Sequence, residues 1–256
     1  MNETLRLIHN RKSVRSYLDK EISRDFKDKI IHSAMRAPTA GNMMLYTIIE
    51  VEDQKLKDQL AVSCDNQPFI AKAPFVLLFL ADYQRWNDFF TVSEVPDPRP
   101  PEEGDLMLAC CDALIAAQNA VIAAESMGIG SCYIGDILEN YEFHREMFDL
   151  PDYVLPITLL CFGYPGKNYQ TNKPAPRYPQ EFIHYKNRYK RLNSRDFNNM
   201  YKTVENRYFP RGEFAENAKN IGQHFYLKKH SSDFMREMNR SVRIALKNWR
   251  ENGPED

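Results

Sequence analysis

No C-x-x-C pair occurs in the sequence, and its five cysteines (Cys64, Cys110, Cys111, Cys132 and Cys161) make an odd number. A disulfide framework needs paired thiols, so these are expected to stay reduced and to act as small core residues. The six histidines are scattered and form no H-E-x-x-H or Cys/His ligand spacing, which argues against a metal site. The opening MNETLRLIHNRKS lacks a basic segment followed by an apolar run, so no signal peptide is expected. The longest apolar stretch, residues 106–124, is broken by Asp112, Gln118 and Asn119, against a membrane span. These absences together predict a cytoplasmic protein with no membrane partner. The basic residues come without a zinc-finger, RNP-like or heptad pattern, so nucleic acid is not an expected partner. A catalytic triad or paired carboxylate is also missing.

What is present is the composition of an ordinary globular protein: 256 residues, 43% hydrophobic and 27% charged. The net charge of -1 conceals a division. Residues 1–180 hold 18 Lys/Arg against 25 Asp/Glu, a balance of -7, and residues 181–256 hold 16 against 10, a balance of +6. The composition shift predicts a core over 1–180 and a helical C-terminal extension over 181–256 packed on it, its positive charge suited to an acidic body or an anionic ligand.

Periodicity supplies the elements. Residues 3–9 read as a short helix, and a second starts after the N-cap candidate Ser23 and ends near Ala37, before Pro38. YTIIEV reads as a strand and DQKLKDQLAV as an amphipathic helix. FVLLFLAD, residues 75–82, and VLPITLLCFGYP are continuous apolar runs expected to be buried strands. Residues 93–104, with four prolines, read as an irregular loop. The helix expected over 105–127 is apolar on most sides, hence central, buried in this chain or against a second copy. A last helix, 232–250, is expected to bury Phe234, Met238, Val242, Leu246 and Trp249. Its stripe of Arg236, Arg240, Arg243, Lys247 and Arg250 reads as a solvated face. The order is that of an α+β fold, helices around a sheet.

Four segments stand out. RKSVRSY concentrates Arg11, Lys12 and Arg15 with the Ser13 hydroxyl, a donor set suited to phosphate oxygens. NKPAPRYP sets Lys173 and Arg177 in a proline-stiffened loop after the strand-ending GYP. GIGSCYIG, residues 128–135, lacks the G-x-G-x-x-G spacing of a dinucleotide fingerprint. Gly128 there reads as the C′ residue of a helix, and the rest as a loop open to a flat ligand. APTAGN offers small residues beside Asn42. Each alone is an ordinary turn.

In this order the four resemble the motifs of the nitroreductase superfamily of FMN-dependent oxidoreductases. RKSVRSY is similar to its R-x-S-x-R-x-[FY] segment, APTAGN to A-P-S-A-x-N, GIGSCYIG to G-x-G-S-C-x-[IL]-G, and GYP…KPAPR to G-Y-P…K-P-R. DNQPFIAKAPFVLLFLADYQRW and the tail through FYLKKHSSDFMREM look most like the larger NADPH-preferring group. The resemblance implies a sandwich with a central, mostly antiparallel sheet flanked by helices, in a domain-exchanged homodimer. It implies that Arg11, Lys12, Ser13 and Arg15, with Lys173, Arg177 or both, hold the FMN phosphate and ribityl chain. Gln67 would bond near the ring, Tyr133, Ile134 and Gly135 would line the flavin edge, and Thr39, Ala40, Gly41 and Asn42 would approach the ring, in this family often from the partner subunit. Lys228 and Lys229 stand where the group carries a base for the NADPH 2′-phosphate. The activity implied is two-electron ping-pong transfer from NADPH or NADH to nitroaromatics, quinones or free flavin, with hydride carried by FMN rather than by a catalytic side chain. A flavin-binding protein without turnover, a reductive dehalogenase and a specific dehydrogenase on the same fold remain alternatives.

Overall fold

The computed structural model describes residues 1–167, 169, 174–215 and 217–251. The elements, in chain order, are α1 (Glu3–Asn10), α2 (Arg24–Met35), β1 (Tyr46–Glu50), α3 (Gln54–Ser63), β2 (Phe75–Asp82), α4 (Gln84–Val92), α5 (Glu103–Ser126), β3 (Gly130–Ile134), α6 (Tyr141–Met147), β4 (Val154–Gly163), α7 (Ser194–Tyr208), α8 (Ile221–Phe225) and α9 (Asp233–Glu251). This is the expected α+β architecture. Every pairing in the four-stranded sheet is antiparallel, in the order β1-β2-β4-β3.

β2 is apolar throughout because both faces of the sheet are covered. Phe75, Leu77 and Phe79 face α2 and α5, packing with Ile30, Ala34, Ala113, Ala117 and Val121. Val76, Leu78 and Leu80 point the other way, against Leu60 of α3, Cys64 just after it, and Cys132 and Ile134 of β3. Alternation along a strand sends neighbours to opposite faces, so two apolar layers need an unbroken apolar strand. Pro156, which lacks an amide proton, enters β4 where the register with β2 slips between Phe79 and Leu80. α5 is the one described helix long and apolar enough to cross a membrane by length and composition. Its Ala109, Ala113, Ala116, Ala117, Ala120 and Ala124 are instead fully buried against the sheet and α2.

Local signals behave as the sequence predicts at several ends. The Ser23 hydroxyl accepts from the Phe26 amide and opens α2. Gly128 follows α5 with φ of +73°, and a Cβ added to it would meet nothing within 4 Å. Gly128→Ala is therefore expected to cost only the left-handed backbone penalty, about 1 kcal/mol, read from the urea unfolding midpoint. Other expectations need correction. Residues 130–134 form a strand rather than a loop, and α4 and α6 have no counterpart among the expected elements. The proline-rich loop stops earlier because Glu102 and Asp105 make a capping box that starts α5 at Glu103.

The described chain forms two compact units, residues 1–172 with 237–256, and residues 173–236. In the first, α9 is held by Ser241, which donates to the Leu138 carbonyl (2.6 Å) and accepts from the Tyr141 amide (2.9 Å). Trp249 donates to the Glu102 carbonyl (3.2 Å) and meets the Tyr153 ring edge-on. The buried stripe of α9 is thus Ser241, Ala245 and Trp249, with Met238, Val242 and Leu246 half-buried, a rotation from the stripe expected. The basic face is largely paired: Arg240 with Glu142 and Glu237, Arg250 with Glu103, Arg236 with Asp233 and Lys247 with Glu251. Arg240 pulls the Glu142 carboxyl down to about 2. The second unit carries α7, opened by an Asn193/Asp196 capping box, and an aromatic cluster of Phe209, Phe214 and His224.

Candidate functional site

The basic segment is extended and fastened at both ends. The Val14 amide donates to the Ser131 carbonyl (2.9 Å), and Ser13 bridges Ser131 in parallel. Further on, Leu18 donates to the Tyr164 carbonyl and Gly166 to the Ser16 carbonyl, both at 2.9 Å, while Tyr17 bridges Pro165. Two glycines make this possible. Gly130 and Gly163 lie opposite each other in the β3–β4 ladder, and a Cβ on either would come within 2.4 Å of Val14 or Tyr17. Gly130 therefore serves the chain's own segment, whereas Gly135 faces open space.

This anchoring gathers charge at one place. Arg11, Ser13 and Arg15 converge on Cys132: burial pushes its thiol pKa up, and the two guanidinium groups with hydrogen bonds from Ser13 and Arg15 oppose the rise. Arg11 Nη1 and Ser131 Oγ are buried with no partner among the described residues. Arg15 also lies over the Phe69 ring (6.0 Å), beside a cavity of about 970 Å³ bordered by Tyr17, Lys20, Lys57 and Lys72. Lys12 turns to Tyr169, donating to its carbonyl at 2.5 Å and lying 4.1 Å from its ring centroid. Glu125 of α5 joins them. Its carboxyl is pushed up by burial and pulled back by Arg11, the Tyr169 hydroxyl and Lys12.

The loop containing Thr39, Ala40, Gly41 and Asn42 is folded by α5. Buried Asp112 accepts from the Ala40 amide (3.0 Å) and the Leu45 amide (3.1 Å), and the Thr39 hydroxyl accepts from the Met44 amide. Gly41, Asn42 and Met44 all have positive φ (55°, 58° and 51°), a tight path that these bonds hold. Gln67 is half-buried, its amide group donating to the Cys64 carbonyl and to Asp136. Tyr133 donates to Gln118, and burial raises its hydroxyl to about 12; Ile134 is buried and Gly135 exposed. Arg177 belongs to the second unit, where it donates to the Ala175 and Pro176 carbonyls. Lys228 and Lys229 sit there too, exposed on the turn Tyr226–His230. Lys173 lies outside the described residues.

Asp112, Glu125, Ser131 and Asp136 are the residues of this region that sequence reasoning misses. Asp112 carries one signal, a carboxylate inside an apolar helix, and that signal speaks equally well against a membrane span. Beyond Asp136 sits Glu139, buried at the end of the same turn, its carboxyl pushed up to about 7 by burial and then by Asp136, Asp65 and Glu237. With a folded value above 4.5, the native chain holds more proton than the unfolded one between pH 4.5 and about 7. Stability contributed there is lost as pH rises through that window. Glu139→Gln is expected to flatten the decline, read from thermal melts at a series of pH values.

The chain matches the family model described as "Nitroreductase family" over residues 8–164, a span holding the basic segment, the 39–42 loop, Gln67 and β3. It is 35% identical over 206 residues to the FMN reductase (NADPH) of Bacillus subtilis strain 168, covering 80% of this chain and 81% of that one. To the FMN reductase [NAD(P)H] of the same strain it is 32% identical over 192 residues, 74% and 75% of the two chains. Among solved structures, B. megaterium NfrA2 superposes with a TM-score of 0.82 at 29% identity, covering 97% of this chain and 98% of its own. The motif resemblance is borne out over most of the sequence, and the chain belongs to the nitroreductase family.

Proposed function

We propose that the protein is an FMN-dependent oxidoreductase that uses NAD(P)H to reduce free flavin, nitroaromatics or quinones, working as a cytoplasmic homodimer. The observation that carries this reading is the anchored segment around Arg11, Ser13 and Arg15, with Arg11 Nη1 and Ser131 Oγ beside it, buried and without a partner among the described residues. A buried donor left unpaired costs free energy that a phosphate or ribityl oxygen at this place would recover. The activities for which the B. subtilis relatives are named, FMN reductase (NADPH) and FMN reductase [NAD(P)H], support both the flavin and the nicotinamide donor.

FMN, if bound, would supply the two-electron redox chemistry linking NAD(P)H to a planar acceptor. The residues of this chain bind and orient. Arg11, Lys12, Ser13 and Arg15 hold the phosphate end. Gln67, Tyr133, Ile134 and Gly135 border the ring, and the 39–42 loop closes over it. Lys228 and Lys229 meet the 2′-phosphate of NADPH. Exposed Met107, Leu108, Leu114 and Ile115 on α5 support a second copy packing there.

The purified protein is expected to be yellow and to lose its flavin absorbance on anaerobic titration with NADPH or NADH. Colourless protein that takes up no added FMN overturns the reading. Bound flavin that neither donor bleaches would point to a carrier without turnover. Arg15→Ala is expected to weaken FMN retention by about tenfold or more, while Lys247→Ala, on the paired face of α9, leaves it unchanged. Equal retention by both counts against the phosphate assignment.

A further inference from the structure

The Gln67 side chain has one hydrogen-bonding direction left to it. Its Nε2 lies 2.8 Å from the Cys64 carbonyl oxygen and 2.9 Å from Asp136 Oδ2. A carbonyl and a carboxylate only accept, so the amide can face both only through its two N–H groups. Swapping nitrogen and oxygen would set two acceptors against Oε1, which excludes the flipped arrangement. With both protons used, Oε1 remains, and it has no partner among the described residues.

The support for this arrangement is rigid. The Gln67 amide nitrogen donates to the Ala61 carbonyl (2.7 Å), which ties the loop back onto α3. Asp136 opens a single turn, Asp136–Leu138, directly after Gly135. That turn is closed by the Leu138 and Glu139 amides and braced by Ser241 of α9 on the Leu138 carbonyl. The loop that carries Gln67 also carries Phe69, over whose ring the Arg15 guanidinium lies. Gln67 therefore stands two positions from the residue that Arg15 covers, and its amide meets the turn that directly follows Gly135. A bond to an ionised acceptor is about twice as strong as one between neutral groups, so Asp136 decides the orientation more firmly than Cys64 does.

We infer that Asp136 is a positioning residue, locking the Gln67 amide with its carbonyl oxygen toward the ligand so that this position reads a hydrogen-bond donor. The inference rests on the flavin reading above. In the oxidised isoalloxazine ring, N3–H is the only N–H donor, so the lock makes Gln67 a reader of the N3–H edge. A free glutamine amide could turn either face and would not discriminate.

The test is equilibrium binding of FMN and of 3-methyl-FMN, which lacks that proton, to the apoprotein, followed by flavin fluorescence. Wild type is expected to bind 3-methyl-FMN about tenfold or more weakly than FMN. Asp136→Leu and the smaller Asp136→Ala are expected to bind FMN about tenfold more weakly and to narrow the preference to within about threefold. Asp136→Asn keeps an acceptor for Nε2 and is expected to restore both affinity and preference, a rescue that a merely space-filling role would not require. Thermal midpoints check that each variant is folded. Should neither truncated variant fold, the wild-type and Asp136→Asn preferences still decide the matter. Equal binding of the two flavins by wild type, or an undiminished preference in folded Asp136→Leu or Asp136→Ala, overturns the inference while leaving the flavin reading intact. Wild-type protein that binds neither flavin overturns the reading itself and the inference with it.

Discussion

Gly163→Ala is expected to strip the protein of retained FMN while leaving the sheet folded. The added Cβ would lie 2.4 Å from Tyr17 Cδ1, 2.7 Å from Cγ and 3.0 Å from Cβ, near the root of a ring that cannot swing aside. Its ladder partner Gly130 meets Val14 in the same way, with Cγ2 at 2.4 Å and Cβ at 3.0 Å. The glycine pair forms a flat patch on which the 13–17 segment lies. Overpacking a fitted contact costs about 1–3 kcal/mol, and the cheapest relief is for the segment to lift away. Ser13 and Arg15 would move with it, so FMN affinity is expected to fall by about tenfold or more. Gly130→Ala should behave alike, and adding Val14→Ala should recover part of the loss by removing the closest methyl. Retention of FMN at the wild-type level by Gly163→Ala would falsify the account of this segment.

The second large effect concerns Asp112. Its carboxylate is buried in α5 and accepts the amide protons of Ala40 and Leu45, closing the loop between α2 and β1. Removing it leaves the buried Leu45 amide and the partly buried Ala40 amide without this acceptor. Hydrogen bonds to charged groups contribute about 1.5–3 kcal/mol each, so Asp112→Ala is expected to cost about 3 kcal/mol or more. For a chain of this length that is roughly 6–12 °C in Tm. Asp112→Asn retains one acceptor oxygen and should lose less. Because the same bonds hold Gly41, Asn42 and Met44 at positive φ, the alanine variant should also loosen the 39–42 loop. Limited proteolysis between residues 38 and 45 would detect that, and an unchanged cleavage pattern would sink the assignment.

These two cases mark the division between what a chain writes locally and what folding adds. Ser23 as an N-cap, Gly128 as a C′ residue and the buried strand Phe75–Asp82 are legible because each depends on neighbours within a few positions. The basic cluster at 11–15 is legible as well, since residue type and spacing suffice to suggest an anion. β3 is not. Its five residues carry no alternation of their own and become a strand because β4 offers a partner edge. Nor is the work of Asp112, 72 positions from Ala40, or that of Trp249, 147 positions from Glu102. Capping, proline restriction and periodicity act along the backbone and leave their marks in short words. Hydrogen bonds across such separations are selected only once packing has brought the elements together, so the sequence alone named the donors around Arg11 and Arg15, and tertiary structure decided which buried acceptors and glycines hold them in place.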